Sequence, residues 1–180
     1  MKKPKTLKSK YLYQGVKVHL RIAEILTPEG LKQKRECVEH GGAVAMVAIL
    51  DDGSILLNRQ YRYASDQTFW EIPAGTLEKD EKPRSCARRE LIEETGYKPG
   101  KLVQLTKFYP TPGYSNEIIY VYLATNLKKV DDTPIGHIEE GIKNKAFPLE
   151  QVLNMINSGK IEDGKTIIGI LMAREQLKNL

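Results

Sequence analysis

Residues 75–97 decide the fold of this chain, and they read GTLEKDEKPRSCARRELIEETGY. Within them, Pro83 suits the first turn of a helix, where its missing N–H has no partner to lose. Gly96 suits the position just after a helix, because glycine readily adopts the left-handed conformation that often ends one. The spacing therefore predicts a helix that begins near Pro83 and stops at Gly96, preceded by a loop that holds Gly75 and Glu81.

Three glutamates share one face of that predicted helix, because Glu93 and Glu94 follow Glu90 by three and four residues. Like charges at these spacings repel each other, so the cluster needs a counter-charge. Arg89 precedes Glu93 by four residues and can neutralise one carboxylate. A hard divalent cation such as Mg²⁺, which prefers oxygen ligands, would satisfy the others. For the glutamates alone, the alternative interpretation is an ordinary solvated face.

The order and spacing of these residues resemble the Nudix box, Gly-x5-Glu-x7-Arg-Glu-U-x-Glu-Glu-x-Gly-U, in which U is a bulky apolar residue. Tyr97 is the one departure, an aromatic residue where the pattern prefers an aliphatic one, and it affects packing under the helix rather than the acidic side chains. The residues that match in type and spacing are Gly75, Glu81, Arg89, Glu90, Leu91, Glu93, Glu94 and Gly96.

This resemblance implies a divalent metal site that cleaves a phosphoanhydride bond. Mg²⁺ is the implied cofactor, roughly two or three ions per site, with Mn²⁺ as the alternative ion. Arg89 is expected to orient Glu93 through an ion pair, and both count among the catalytic residues. The implied metal-binding residues are Glu90, Glu94 and the carbonyl of Ala74, with Glu93 bridging and Glu81 supporting the cluster from the loop.

Features outside the box resemble the ADP-ribose pyrophosphatase branch of the family. Arg62 lies in the run RQYRY, upstream of Glu71 in EIPAG, and the resemblance implies that Arg62 contacts a diphosphate and that Glu71 also binds substrate. The loop TPGYSNE is implied to line the pocket for the terminal ribose through Thr111, Gly113 and Glu117. Taken singly, these features also fit solvated arginines at a strand end and an ordinary turn.

The resemblance also implies a general base in the acidic loop that ends near Gly141. Glu140 is the first candidate and Glu139 the second, because one sequence does not settle the register of this loop. A solvated acidic loop is the alternative for either residue.

The implied activity is Mg²⁺-dependent hydrolysis of ADP-ribose to AMP and ribose 5-phosphate. The nearest alternative keeps the reaction but acts on another nucleoside diphosphate sugar or on a dinucleoside polyphosphate. A non-catalytic nucleotide-binding sensor is a further alternative, although such domains usually lose box glutamates and this box retains them. The last alternative is RNA decapping, in which the basic N-terminus would help to bind RNA. A steep fall in RNA affinity as the salt concentration rises would support this alternative.

Bulk properties limit these possibilities further. The 180 residues suit one domain, and no stretch approaches the ~20 apolar residues of a membrane span. Cys37 and Cys86 are isolated, which predicts neither a disulfide framework nor a zinc site. The N-terminus has lysines without an apolar run, so we expect no signal peptide, no membrane partner and a cytoplasmic location. The net charge of +5 owes much to five lysines among the first ten residues, so we expect no nucleic-acid partner.

Residues 1–10 are predicted to be a basic flexible arm, 11–40 an N-terminal β-hairpin and 41–180 the Nudix hydrolase domain. Short strands dominate this last part, and Ala87 and Leu91 give the box helix an apolar stripe. We therefore expect an α+β fold that resembles the Nudix α/β/α sandwich with a mixed sheet. In the resembled family the N-terminal strands cross to a partner subunit and help form the adenosine end of the pocket, which predicts a homodimer here.

Overall fold

The computed structural model of the chain describes residues 2–130 and 142–178. It divides into two compact units. One comprises Met1–Gly42 and Tyr109–Ile118, and the other Ala43–Phe108 and Ile119–Leu180.

The first unit is built on a three-stranded antiparallel sheet in the order β1-β2-β3, with β1 at Lys5–Gln14, β2 at Val18–Leu26 and β3 at Lys32–His40. Strands β2 and β3 form the predicted hairpin. The later segment of this unit is held to β3 by main-chain bonds. The N–H of Val38 donates to the carbonyl of Tyr114 at 2.8 Å, and the N–H of Asn116 donates to the carbonyl of Val38 at 3.3 Å.

The predicted flexible arm is wrong for Lys5–Lys10, because these residues form the first part of β1. The lysine-rich sequence of this segment lacks the alternation of apolar and polar residues that would indicate a strand. The strand forms through its main-chain ladder with β2, in which Lys8 lies opposite Glu24 and its Nζ is 3.2 Å from the glutamate Oε2. Residues 11–14, which were included in the predicted hairpin of residues 11–40, also belong to β1, and the first strand of the hairpin begins at Val18.

The second unit is organised around a seven-stranded mixed sheet whose central path is β10-β5-β4-β9-β8, with β6 paired to β5 and β7 paired to β4. Strand β4 runs parallel to β9, and the other pairs are antiparallel. The strands are β4 Ala43–Ile49, β5 Ile55–Arg62, β6 Gln67–Glu71, β7 Ala74–Thr76, β8 Tyr97–Phe108, β9 Ile119–Lys129 and β10 Lys143–Phe147.

Helices cover both faces of this sheet, as predicted. They are α1 Pro83–Thr95, α2 Leu149–Asn157 and α3 Gly164–Lys178. Successive residues of a strand point to opposite faces, and β4 accordingly serves two cores. Val44 and Met46 pack with Leu91 of α1, whereas Ala45 and Val47 pack in the cluster that holds α2 and α3.

Helix α1 begins and ends where the sequence predicts. Pro83 is its first residue, Lys82 supplies no side-chain cap, and Gly96 follows its last residue with φ of 73°. Ala87 and Leu91 are fully buried, which confirms the predicted apolar stripe. The partly buried ring of Tyr97 packs against the same cluster.

One detail of the second unit differs from expectation. Gly75 lies in the short strand β7, where it pairs with Val44, and not in a loop. In helix α3, Leu171 and Met172 are exposed, and the helix buries a small set of residues around Gly169. A Cβ on Gly169 would lie 2.8 Å from Ile72 Cδ1, so the glycine permits this close packing.

No helix within the described ranges is long and apolar enough to cross a membrane. The predicted acidic loop falls largely in 131–141, outside those ranges.

Candidate active site

Arg89 is the centre of the acidic cluster on α1. Its guanidinium bonds Glu81 Oε2 at 2.8 Å, Glu90 Oε1 at 2.8 Å and Glu93 Oε2 at 3.0 Å. The helix supplies Glu90 and Glu93 from its own face, and the preceding loop supplies Glu81. Arg89 therefore holds three carboxyl groups together, including the predicted pair with Glu93.

The bond from Arg89 lowers the pKa of Glu81 from 4.5 to about 2, against a smaller opposing effect of burial. The N–H of Glu78 adds to this lowering. The pKa of the Arg89 guanidinium is raised, chiefly by its bond to Glu81. Burial raises the pKa of the neighbouring Cys86 thiol to about 12, so this cysteine is an inert packing residue rather than a nucleophile.

Gly75 makes room for the carboxyl group of Glu90. A Cβ on Gly75 would lie 1.9 Å from Glu90 Cδ and 2.2 Å from each of its oxygens. A side chain at this position would have to displace that carboxyl group, so the first glycine of the box allows Glu90 to lie against β7.

Glu94 is the most deeply buried glutamate of α1, at 6% exposure. Its Oε2 accepts the N–H of Ala74 at 2.9 Å and the side-chain amide of Asn58 at 2.8 Å. These donors come from β7 and β5, so Glu94 joins the end of the box helix to the sheet.

The chemistry of this cluster fits a hard divalent cation. Three carboxyl groups lie around the Arg89 guanidinium, the helix also carries Glu94, and carboxylate oxygens are the ligands that Mg²⁺ prefers. Within residues 2–130 and 142–178, however, no three histidine, cysteine or acidic side chains are arranged to hold an ion as they stand. The residues that would hold a metal are Glu90, Glu93, Glu94 and Glu81, with the carbonyl of Ala74.

Arg62 and Glu71 are brought together on β5 and β6. Arg62 Nε donates to Glu71 Oε1 at 2.9 Å, and Lys165 Nζ lies 2.5 Å from Glu71 Oε2. Glu71 is only 2% exposed, and burial would raise its pKa, but the bonds from Arg62 and Lys165 outweigh burial and lower it. The side chain of Arg62 remains 40% exposed while it makes this pair.

The other predicted substrate residues lie in the first unit, in the segment that pairs with β3. The carbonyl of Thr111 accepts the N–H groups of Tyr114 and Ser115 in a turn, and Gly113 is exposed at its tip. The carboxylate of Glu117 lies 3.5 Å from His40 Nδ1. Glu139 and Glu140, the candidate bases, lie outside the described residues.

The sequence did not predict two partners of the acidic residues, the buried Asn58 and the partly buried Lys165. An asparagine at the end of the apolar run Ile55–Leu57 is the signal that could have found the first, because polar residues in a buried strand need a partner. Lys165 gave no comparable signal, since it is one of many lysines and its position depends on where α3 begins. Asp163 fixes that start by accepting the N–H of Thr166 at 3.0 Å.

The chain is similar to known proteins over nearly its whole length. It is 38% identical over 176 residues to the ADP-ribose pyrophosphatase of Bacillus subtilis (strain 168), covering 97% of this chain and 95% of that one. It is 38% identical over 177 residues to the methanol dehydrogenase activator of Bacillus methanolicus, covering 97% and 96%. A GDP-mannose pyrophosphatase of Enterobacter sp. (strain 638) is 35% identical over 148 residues, covering 78% of this chain and 77% of that one.

A solved structure described as an ADP compounds hydrolase superposes with a TM-score of 0.86, at 21% identity, over 99% of this chain and 96% of that one. That likeness confirms the predicted fold, an α/β/α sandwich with a mixed sheet. The family model of the NUDIX domain matches residues 39–167. With the box geometry and the full-length relatives, this match shows that the chain belongs to the Nudix hydrolase family.

Proposed function

We propose that this protein hydrolyses the diphosphate bond of ADP-ribose, with Mg²⁺, to give AMP and ribose 5-phosphate. The observation that carries the proposal is the full-length match to an ADP-ribose pyrophosphatase, in a chain that keeps every glutamate of the box. The acidic cluster around Arg89 supports the metal requirement.

Divalent ions supply charge neutralisation at the phosphate oxygens and activation of the attacking water. The chain's own residues hold and orient the reactants. Arg89 keeps Glu90 and Glu93 together, and Ala74 and Asn58 fix the carboxylate of Glu94. Arg62, held by Glu71, presents a planar guanidinium that suits a diphosphate.

The general base is proposed to be Glu140, with Glu139 second, on the resemblance alone. A base acts in the transition state, so its loss lowers turnover more than substrate affinity. Comparing Glu140→Gln with Glu139→Gln by steady-state kinetics identifies which residue has this role.

The second candidate function is hydrolysis of another nucleoside diphosphate sugar, which the similarity to a GDP-mannose pyrophosphatase favours. The box and its cluster serve either substrate, because they act on the diphosphate that both share.

We also propose a homodimer in which the three-stranded sheet β1-β2-β3, here called the N-terminal sheet, forms the contact between the two copies. Large apolar side chains are exposed along that sheet, including Leu7, Tyr11, Leu12, Tyr13 and Val18. A two-fold contact would remove them from water, and two-fold dimers are the commonest oligomers.

The direct test is to incubate the purified protein with ADP-ribose and Mg²⁺ and to identify the products by chromatography. The proposal expects equal amounts of AMP and ribose 5-phosphate, and no reaction after chelation of divalent ions. Intact ADP-ribose at saturating Mg²⁺ would overturn it.

A further inference from the structure

Asn58 is a buried polar residue whose position needs an explanation. It follows the apolar residues Ile55–Leu57 in β5 and is only 2% exposed. Its Nδ2 donates to Glu94 Oε2 at 2.8 Å. Its Oδ1 is buried and has no hydrogen-bond partner among the residues that the structure describes. Burying an amide in this way is unfavourable, so packing alone does not account for an asparagine here.

The position of Asn58 in the sheet directs it to Glu94. In the register of the sheet it lies opposite Glu71 of β6 on one side and opposite Asn144 of β10 on the other. Directly opposed residues of neighbouring strands project to the same face. Asn144 accordingly reaches the same glutamate, and its Nδ2 donates to the main-chain carbonyl of Glu94 at 2.8 Å.

The two asparagines hold different parts of Glu94. Asn144 is exposed, and it satisfies a carbonyl in the last turn of α1, where helical partners are missing. Asn58 is buried and bonds the carboxylate itself, on the same oxygen that accepts the N–H of Ala74. Two donors from two strands converge on one carboxylate oxygen and therefore fix the orientation of the whole group.

We propose that Asn58 is a positioning residue for Glu94, orienting its carboxylate toward the divalent cation of the proposed function. The inference rests on the proposed metal role of Glu94. Residues that bond a ligating side chain set its direction, and their loss typically weakens metal binding by about 10–100-fold. Asn144 serves as an internal comparison, because it contacts the same glutamate without touching the carboxylate.

The test is a titration with Mn²⁺ alone, with free ion measured by electron paramagnetic resonance. The wild type is compared with Asn58→Leu, Asn144→Ala and Glu94→Gln, each at a temperature where thermal unfolding shows it to be folded. Leucine has the same branched arrangement of side-chain heavy atoms as asparagine, although its methyl groups are bulkier, and it has no hydrogen-bond donor. If Asn58→Leu does not fold, Asn58→Ala carries the test.

We expect the Asn58 variant to bind Mn²⁺ about 10–100-fold more weakly and Asn144→Ala to remain within about threefold of wild type. Turnover of the Asn58 variant should recover as Mg²⁺ is raised, since the ligand itself is intact. Affinity within about threefold of wild type in a folded Asn58 variant would overturn the inference, as would an equal loss in Asn144→Ala. If Glu94→Gln binds Mn²⁺ as tightly as wild type, the proposed metal site fails and the inference fails with it.

Discussion

Glu94 combines burial with two converging donors, and this makes it the most informative single residue of the site. Glu94→Gln keeps the size of the side chain and its capacity to accept from Ala74 and Asn58, but it removes the negative charge. We expect turnover of ADP-ribose to fall by several orders of magnitude while circular dichroism remains unchanged. Near-wild-type turnover at saturating Mg²⁺ would show that Glu94 does not bind the metal.

Glu81 gives a prediction about acid stability. Its pKa is about 2 in the folded protein, against an ordinary value of 4.5, because Arg89 bonds the charged form. A lowered pKa stabilises the fold above pH 4.5, and this contribution is lost as the pH falls toward 2. Glu81→Gln should therefore show a shallower decline in the free energy of unfolding across this window. Urea unfolding at a series of pH values measures how the free energy of unfolding depends on pH in the wild type and in Glu81→Gln. Equal slopes for the two proteins would contradict the lowered pKa of Glu81.

At the scale of elements, the contact between β7 and α1 depends on Gly75. A methyl group there would displace the carboxyl group of Glu90, since it would lie 1.9 Å from Cδ. Gly75→Ala should weaken Mn²⁺ binding and lower turnover in a protein that still folds. Gly164→Ala is the matched control, because a Cβ at Gly164 meets nothing within 4 Å. Equal turnover in Gly75→Ala and Gly164→Ala would contradict this prediction, because it would mean that the Glu90 carboxyl group can move aside without loss of function.

The elements also show what the sequence could and could not predict. The box fixed α1 to within a residue, because Pro83 and Gly96 define its ends through their own backbone chemistry. Strand β1 was missed because its residues are lysine-rich and exposed, so its existence depends on a neighbouring main chain and not on side-chain pattern. The contacts of Asn58 and Lys165 were missed for a related reason. They join segments 36 and 94 residues apart, and no local spacing encodes that distance.

At the scale of the whole molecule, the exposed apolar residues of the N-terminal sheet predict a dimer in solution. Leu12 and Tyr13 are 51% and 60% exposed, and a double substitution by aspartate should yield monomers by light scattering. Tyr63→Asp is the control, since Tyr63 is 89% exposed but lies in the other unit. Because β1 includes Lys5–Lys10, deletion of residues 1–10 should also weaken the dimer. A monomeric wild type, or a dimeric double variant, would refute this arrangement.

The central claim concerns substrate, and internal competition tests it most directly. Equal concentrations of ADP-ribose and GDP-mannose are mixed with limiting enzyme and Mg²⁺, and the consumption of both is followed in the same reaction. Because the two substrates compete for the same enzyme at equal concentration, the ratio of their initial rates equals the ratio of their kcat/KM values, and neither constant has to be measured separately. Our account predicts that ADP-ribose is consumed first, with AMP and ribose 5-phosphate as products. Faster consumption of GDP-mannose, with ADP-ribose left intact, would contradict it.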